Sequence, residues 1–151
     1  MRMGWWVLGV LCAFALAACA PVNISAPLIE YAHQVADGKV ALRWNCLRAE
    51  PTAVTVRGAA NNPYYAQPIK DLRFTLYGVN AQGGTVSQAQ GSAQAFLINL
   101  NSSTTFEVTL QTVGGEVRYD LVYSYTLGGG AIVAGGGEQR NLKLNACPTF
   151  Q

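Results

Sequence analysis

The chain has 151 residues, half of them hydrophobic and only 12% charged, with a formal net charge of +2. An ordinary soluble domain carries about 25% charged residues, so Gly, Ser, Thr, Asn and Gln must supply much of the polar surface here. The charge pattern offers neither a basic footprint for nucleic acid nor an acidic tail, and the length suits one domain with a real core.

The first residues have the layout of an export signal. Arg2 gives a short positive start, and residues 5–18 form an uncharged apolar run that is too short to span a bilayer. Leu16-Ala17-Ala18-Cys19 closes that run. It resembles the lipobox of bacterial lipoproteins, which implies a diacylglyceryl group on Cys19, cleavage in front of it and, usually, acylation of the new amino terminus. Two or three acyl chains, at about 0.8 kcal/mol per buried methylene, hold a protein durably where one does not. Ala20, rather than an aspartate, follows the cysteine; by resemblance to enterobacterial lipoproteins this implies the outer membrane of the bacterial cell envelope. Cleavage after Ala18 or Ala20 by an ordinary signal peptidase is the alternative. The expected organisation is a signal peptide over 1–18, a lipidated cysteine with a short spacer over 19–27, and one β domain over 28–151.

Cysteine arithmetic follows from that compartment. Cys12 leaves with the leader and Cys19 takes lipid, so Cys46 and Cys147 remain. Outside the cytosol such a pair is most simply a disulfide. It would close a loop of about 100 residues, for which chain entropy gives about 4.7 kcal/mol. A metal site would need further ligands in a chain with a single histidine, and a redox pair is more often Cys-x-x-Cys.

Past the spacer, Ile29, Tyr31, His33 and Val35 alternate with other residues, Asp37-Gly38 intervenes, and Val40, Leu42 and Trp44 alternate again. This predicts a hairpin with a type I′ turn at Asp37-Gly38, against a helix over 27–37. Val54 and Val56 mark the next strand. Leu72, Phe74 and Leu76 then face one way while Arg73, Thr75 and Tyr77 face the other, and residues 85–89 read as the return strand. Phe96 with Ile98, then Phe106, Val108 and Leu110, then Tyr119, Leu121, Tyr123 and Tyr125, and last Leu142 and Leu144 complete the period-two runs. About eight or nine short strands in one exported domain predict an all-β, antiparallel β-sandwich.

Val56-Arg57-Gly58-Ala59-Ala60-Asn61, Leu72-Arg73-Phe74-Thr75-Leu76-Tyr77, Gly84-Thr85-Val86 and Phe106-Glu107-Val108 resemble the FxLYD domain, an immunoglobulin-like module of prokaryotic envelope proteins. Gly78 stands where the namesake motif has its aspartate. The resemblance covers residues 52–125 and implies a fold and a habitat, not catalytic residues. In immunoglobulin order, residues 40–44, 54–56, 72–79 and 142–144 become strands A, B, C and G. The two cysteines then fall just past A and just past G, strands that commonly run parallel at the side of the sandwich. The B–C and F–G loops share the opposite end. Gly114-Gly115 disagrees, since it reads as a tight hairpin where that order needs a crossing between sheets.

Those two loops hold the candidate partner-binding residues: Tyr64 and Tyr65 between prolines, and Ile132 and Val133 between triple glycines. Tyrosine offers large contact area at small entropic cost, and an apolar edge segment can add to a partner's sheet. Their bland readings are a cover over the sandwich end and a flexible tip. Tyr119, Tyr123 and Tyr125 form a stripe, read as core packing before a carbohydrate platform. His33 is expected to be a partly buried polar residue. No nucleophile elbow or metal-spaced cluster occurs, and the carboxylates Glu116 and Asp120 are expected to be solvated. The sequence thus predicts a non-enzymatic envelope module, without cofactor, metal or nucleic acid, bound to the membrane through Cys19 and to an envelope protein. The alternative is a small-ligand or glycan binder using exposed tyrosines.

Overall fold

The computed structural model describes residues 29–63, 67–128 and 139–147, with backbone alone at 49 and 139–141. The alternating runs become nine strands: β1 (His33–Ala36), β2 (Ala41–Glu50), β3 (Ala53–Asn61), β4 (Ile69–Asn80), β5 (Thr85–Ser92), β6 (Leu97–Ile98), β7 (Ser103–Gln111), β8 (Glu116–Leu127) and β9 (Gln139–Asn145). One sheet has the order β1-β2-β3-β7 and the other β5-β4-β8-β9, with β6 on β4. All of these pairings are antiparallel. The chain is an immunoglobulin-like β-sandwich: β2, β3 and β7 stand where strands A, B and E stand, and β5, β4, β8 and β9 where C′, C, F and G stand.

Period-two patterning places one face of each strand inward. Leu42 and Trp44 of β2, Val54 and Val56 of β3, and Phe106, Val108 and Leu110 of β7 meet Leu72, Phe74 and Leu76 of β4 and Leu121, Tyr123 and Tyr125 of β8. Each such side chain gains about 1.5–3 kcal/mol on leaving water. Phe74 and Phe106 stack across the sheets with ring centroids 4.0 Å apart. Gly58 makes room for this, because a Cβ there would meet the Arg43 carbonyl and would lie 2.8 Å from the Phe106 ring.

Several expectations need correction. The hairpin at Asp37-Gly38 exists, with Ala36 opposite Ala41, but its loop spans residues 37–40 and only Gly38 has positive φ, at 87°. A type I′ turn needs two such residues; instead the Asp37 carboxylate accepts from the backbone N–H groups of Lys39 and Val40, both at 2.8 Å. Gly114 and Gly115 do not close a hairpin. Both have positive φ, 90° and 85°, and they carry the chain from β7 in one sheet to β8 in the other. Cys46 lies within β2, which is longer than its apolar core. The first and last long strands do not pair: β2 lies between β1 and β3, while β9 pairs with β8. Phe96 falls outside the two-residue β6, exposed, whereas Ile98 is buried. The missing aspartate of the FxLYD-like motif also has a local reason. A Cβ on Gly78 would crowd Ser87 Oγ and come within 2.7 Å of Glu116 Cγ.

Candidate functional site at the loop-bearing end

Register puts the connections into two groups. Ala36 faces Ala41, Ala41 faces Asn61, Asn61 faces Ser103 and Ile69 faces Leu127. The loop at 37–40, the B–C loop and the turn before β7 therefore share one end with the stem of the F–G loop. Gly128 N–H donates to the Pro68 carbonyl at 2.8 Å, which ties the F–G stem to the B–C stem.

Two polar residues, Asn62 and the turn residue Asp37, organise this end. Asn62 is buried, and its amide donates to the carbonyls of Gln67 and Ile98, both at 3.1 Å. Its own N–H reaches the Ser102 carbonyl at 3.0 Å and its carbonyl accepts from Asn101 at 2.8 Å. One side chain thus closes the B–C loop on itself and ties it to the turn before β7. Asp37 works across the sheets. While one carboxylate oxygen closes the β1–β2 turn, the other accepts from the hydroxyls of Tyr125 at 2.9 Å and Tyr123 at 3.3 Å. Burial, then the Asp37 charge and hydrogen bond, hold the Tyr123 phenol well above its ordinary pKa. The first half of Asp37-Gly38 is a hairpin signal; its second role needed the tyrosines brought opposite it from 86 and 88 residues away.

Beside the loop stems lies an exposed apolar flank. Phe96, Leu97 and Leu100 expose 69%, 42% and 43% of their surfaces. Leu97 sits on β6 opposite Lys70, and Leu100 sits in the turn that Asn62 braces. Next to Phe96 an open depression of roughly 240 Å³ is lined by Asp71, Leu72 and residues 92–96. Asp71 holds a left-handed φ of 52° there. Its N–H reaches the Phe96 carbonyl at 2.9 Å and its carboxylate pairs with Arg73 at 2.8 Å. That ion pair raises the pKa of the Arg73 guanidinium through the hydrogen bond and then the charge of Asp71.

The sequence-predicted residues fall as follows. Tyr64, Tyr65, Ile132, Val133 and Cys19 lie outside the described residues; the stems of the two loops are described and do meet. Cys46 and Cys147 form the disulfide, with Cα atoms 5.6 Å apart, and it joins the two sheets. Tyr119, Tyr123 and Tyr125 are buried in the core, so the stripe offers no carbohydrate platform and the glycan reading loses its motivation. His33 is half-buried beside the Trp44 ring, 5.6 Å between centroids. Of the two carboxylates expected to be solvated, Asp120 is not, whereas Glu116 is only half-buried. Asp120 is buried, receiving Arg118 at 3.0 Å and Lys143 at 2.9 Å. Glu116 accepts from Ser87 Oγ and from Val113 N–H, both at 2.8 Å. Desolvation, the largest single influence on Glu116, pushes its pKa up. Hydrogen bonds from Val113, Ser87, its own N–H and Gly114 together outweigh that and leave it lowered. Among the described residues no three His, Cys, Asp or Glu gather as metal ligands, and no helix is long and apolar enough to cross a membrane.

The opposite end receives the start of the described chain. Asn45 holds it through Ala32 N–H at 2.6 Å and the Glu30 carbonyl at 2.9 Å, next to the disulfide, and β1 then runs toward the loops. Trp44 donates its indole N–H to the Ala146 carbonyl at 2.6 Å, and Arg48 reaches the Tyr119 hydroxyl at 3.0 Å.

No protein-family model matches the chain, and no curated protein matches it. Among solved structures it is similar to the GAE domain of GGA2p from Saccharomyces cerevisiae, with a TM-score of 0.52 at 11% identity over 78% of this chain and 97% of that domain. The GAE domain of yeast GGA1 aligns at 13% identity over 75% of this chain and 96% of the other, with a TM-score of 0.49. At such identity the first likeness concerns the sandwich fold.

Proposed function

We propose that this is a lipid-anchored protein of the bacterial envelope, attached through Cys19 to the outer membrane. Its FxLYD-like sandwich holds an envelope protein at the loop-bearing end without performing catalysis. The observation that carries the contact reading is the run of exposed Phe96, Leu97 and Leu100 beside the joined loop stems. Large apolar side chains clustered on a weakly charged surface are what protein interfaces use. The lipobox resemblance supports the anchor, and the seating of residues 30–32 beside the disulfide suits it, because a tether at that end leaves the loops facing away from the lipid.

The two halves separate experimentally. Labelled palmitate should enter the full chain in cells and be lost in Cys19→Ser; an unlabelled wild type would remove the anchor. Photocrosslinking from position 100 in intact cells should trap an envelope protein. Substituting Phe96→Ala, Leu97→Ser and Leu100→Ser together should abolish that capture with little change in the unfolding midpoint. Undiminished capture by the triple variant would end the assignment of this flank.

A further inference from the structure

Three further apolar side chains stand exposed at the disulfide end. Val113 and Val117 expose 69% and 68% of their surfaces, and Val86 exposes 38%. One carboxylate gathers them. Glu116, next to Val117, accepts from Val113 N–H and from the hydroxyl of Ser87, the neighbour of Val86, both at 2.8 Å. Val86 and Val117 sit at the two irregularities where β5 and β8 meet the end of β4, and Val113 lies in the crossing from β7 to β8. Single exposed valines are ordinary on a protein surface, whereas a cluster marks a contact.

The surroundings are close to neutral. The β4–β5 turn over 81–84 and the β7–β8 crossing over 112–115 contain no charged residue. The charged residues nearest them, Arg48, Glu50, Glu116 and Arg118, cancel, so a surface of either sign meets no net repulsion. The described chain also begins here. Asn45 holds residues 30–32 beside the disulfide, and Ile29 before them is 69% exposed.

We infer that this end is a lipid-contact face, on which Val113 and Val117, with Val86 and Ile29 at the margin, rest at the headgroup boundary of the bilayer that holds the Cys19 acyl chains. Reach selects the occupant. Ile29 lies ten residues past Cys19, a stretch that spans at most about 36 Å even when fully extended. β7 and β8 are nine and twelve residues long, which at about 3.3 Å per residue sets the loop end about 30–40 Å further away. A short tether therefore holds the valines, not the Phe96 flank, next to the lipid. Apolar side chains buried at the boundary add to the hold of the acyl chains. This inference rests on the anchor reading and adds to it that the body lies on the membrane instead of swinging above it.

Full-length acylated protein in vesicles of phosphatidylethanolamine and phosphatidylglycerol tests it. A fluorescent dye on Val113→Cys or Val117→Cys should be quenched by brominated lipid severalfold more than the same dye on Leu100→Cys at the loop end. A dye on Val86→Cys should lose most of its quenching when Val113→Asp and Val117→Asp are added, while palmitate incorporation and the unfolding midpoint stay put. A chain that takes up no palmitate overturns the anchor and this face with it. An acylated chain whose positions 113 and 117 are quenched no more than position 100, or whose position 86 ignores the two aspartates, overturns this face alone. Photocrosslinking from position 113 in intact cells that traps a protein in place of lipid does the same.

Discussion

The two ends of the sandwich solve the same problem with different chemistry. At the disulfide end the sheets are joined covalently by Cys46–Cys147, and by hydrogen bonds from Trp44 to the Ala146 carbonyl and from Arg48 to the Tyr119 hydroxyl. At the loop end the joints are single polar residues, Asp37 and Asn62, each satisfying several partners. The contrast teaches that one end is built for cohesion, while the other spends its sequence on surface. Loops on a rigid scaffold are where contact function ordinarily resides.

The sharpest way to break the contrast is to remove the covalent joint. Cys46→Ala with Cys147→Ala frees a loop whose ends lie 101 residues apart in sequence. Chain entropy sets the loss at up to about 4.7 kcal/mol, an amount comparable to the whole stability of many domains. Urea unfolding of oxidised and reduced protein measures it. An unchanged midpoint would mean that the hydrogen bonds around Trp44 suffice and that the disulfide end owes nothing to its sulfur.

Next comes Asp120, whose carboxylate is buried between Arg118 and Lys143 while those partners remain about half exposed, at 47% and 63%. Removing one member of a fully buried pair costs about 3–5 kcal/mol. Here the stranded cations regain water, so Asp120→Ala should cost about 2 kcal/mol. The loss should fall on the β8–β9 pairing, visible as faster amide exchange around Leu144. Partner capture at temperatures below unfolding should persist. If capture disappears while the protein stays folded, the two ends are coupled rather than separate.

At the loop end, Asn62→Ala leaves the carbonyls of Gln67 and Ile98 without their donor and should cost about 1–3 kcal/mol. Here capture should weaken more than stability does, because Asn62 sets the B–C stem and the turn bearing Leu100. A loss of stability with capture intact would make Asn62 a fold residue alone.

How much of this was legible in the chain follows from range. Period-two alternation wrote most of the strands, and Cys46 with Cys147 could be paired by elimination once export was assumed. Phe74 stacking on Phe106 and Gly58 yielding to that stack were not legible, since each needs a neighbour set by the sheet order. The same holds for Asp37: its turn role is local, but its grip on Tyr123 and Tyr125 appears only once β8 lies across from the first hairpin. Gly114-Gly115 misled for the opposite reason. Paired glycines report positive φ faithfully, and the expectation added a hairpin to what was only a backbone conformation. The exposed flank escaped notice because Phe96 and Ile98 share the spacing of an alternating strand, and nothing in that spacing separates an inward isoleucine from an outward phenylalanine.

The smallest effect isolates the Asp37 clamp. Tyr123→Phe removes a hydrogen bond of 3.3 Å while Tyr125 keeps its own at 2.9 Å, so at pH 8 the cost should be about 0.5–1 kcal/mol. The diagnostic lies in alkali. Folding raises the Tyr123 pKa above its ordinary value, through desolvation first and the Asp37 charge and hydrogen bond after it. The neutral phenol is therefore the form that the fold favours. Its contribution is complete below the unfolded value of about 10 and declines as pH climbs from there toward the folded value. Unfolding midpoints recorded from pH 8 to pH 11 should fall more steeply for the wild type than for Tyr123→Phe, and the gap between the two should narrow above pH 10. Curves that stay parallel would show that the phenol loses its proton as readily inside the sandwich as outside, and the clamp would then be a contact without energetic consequence.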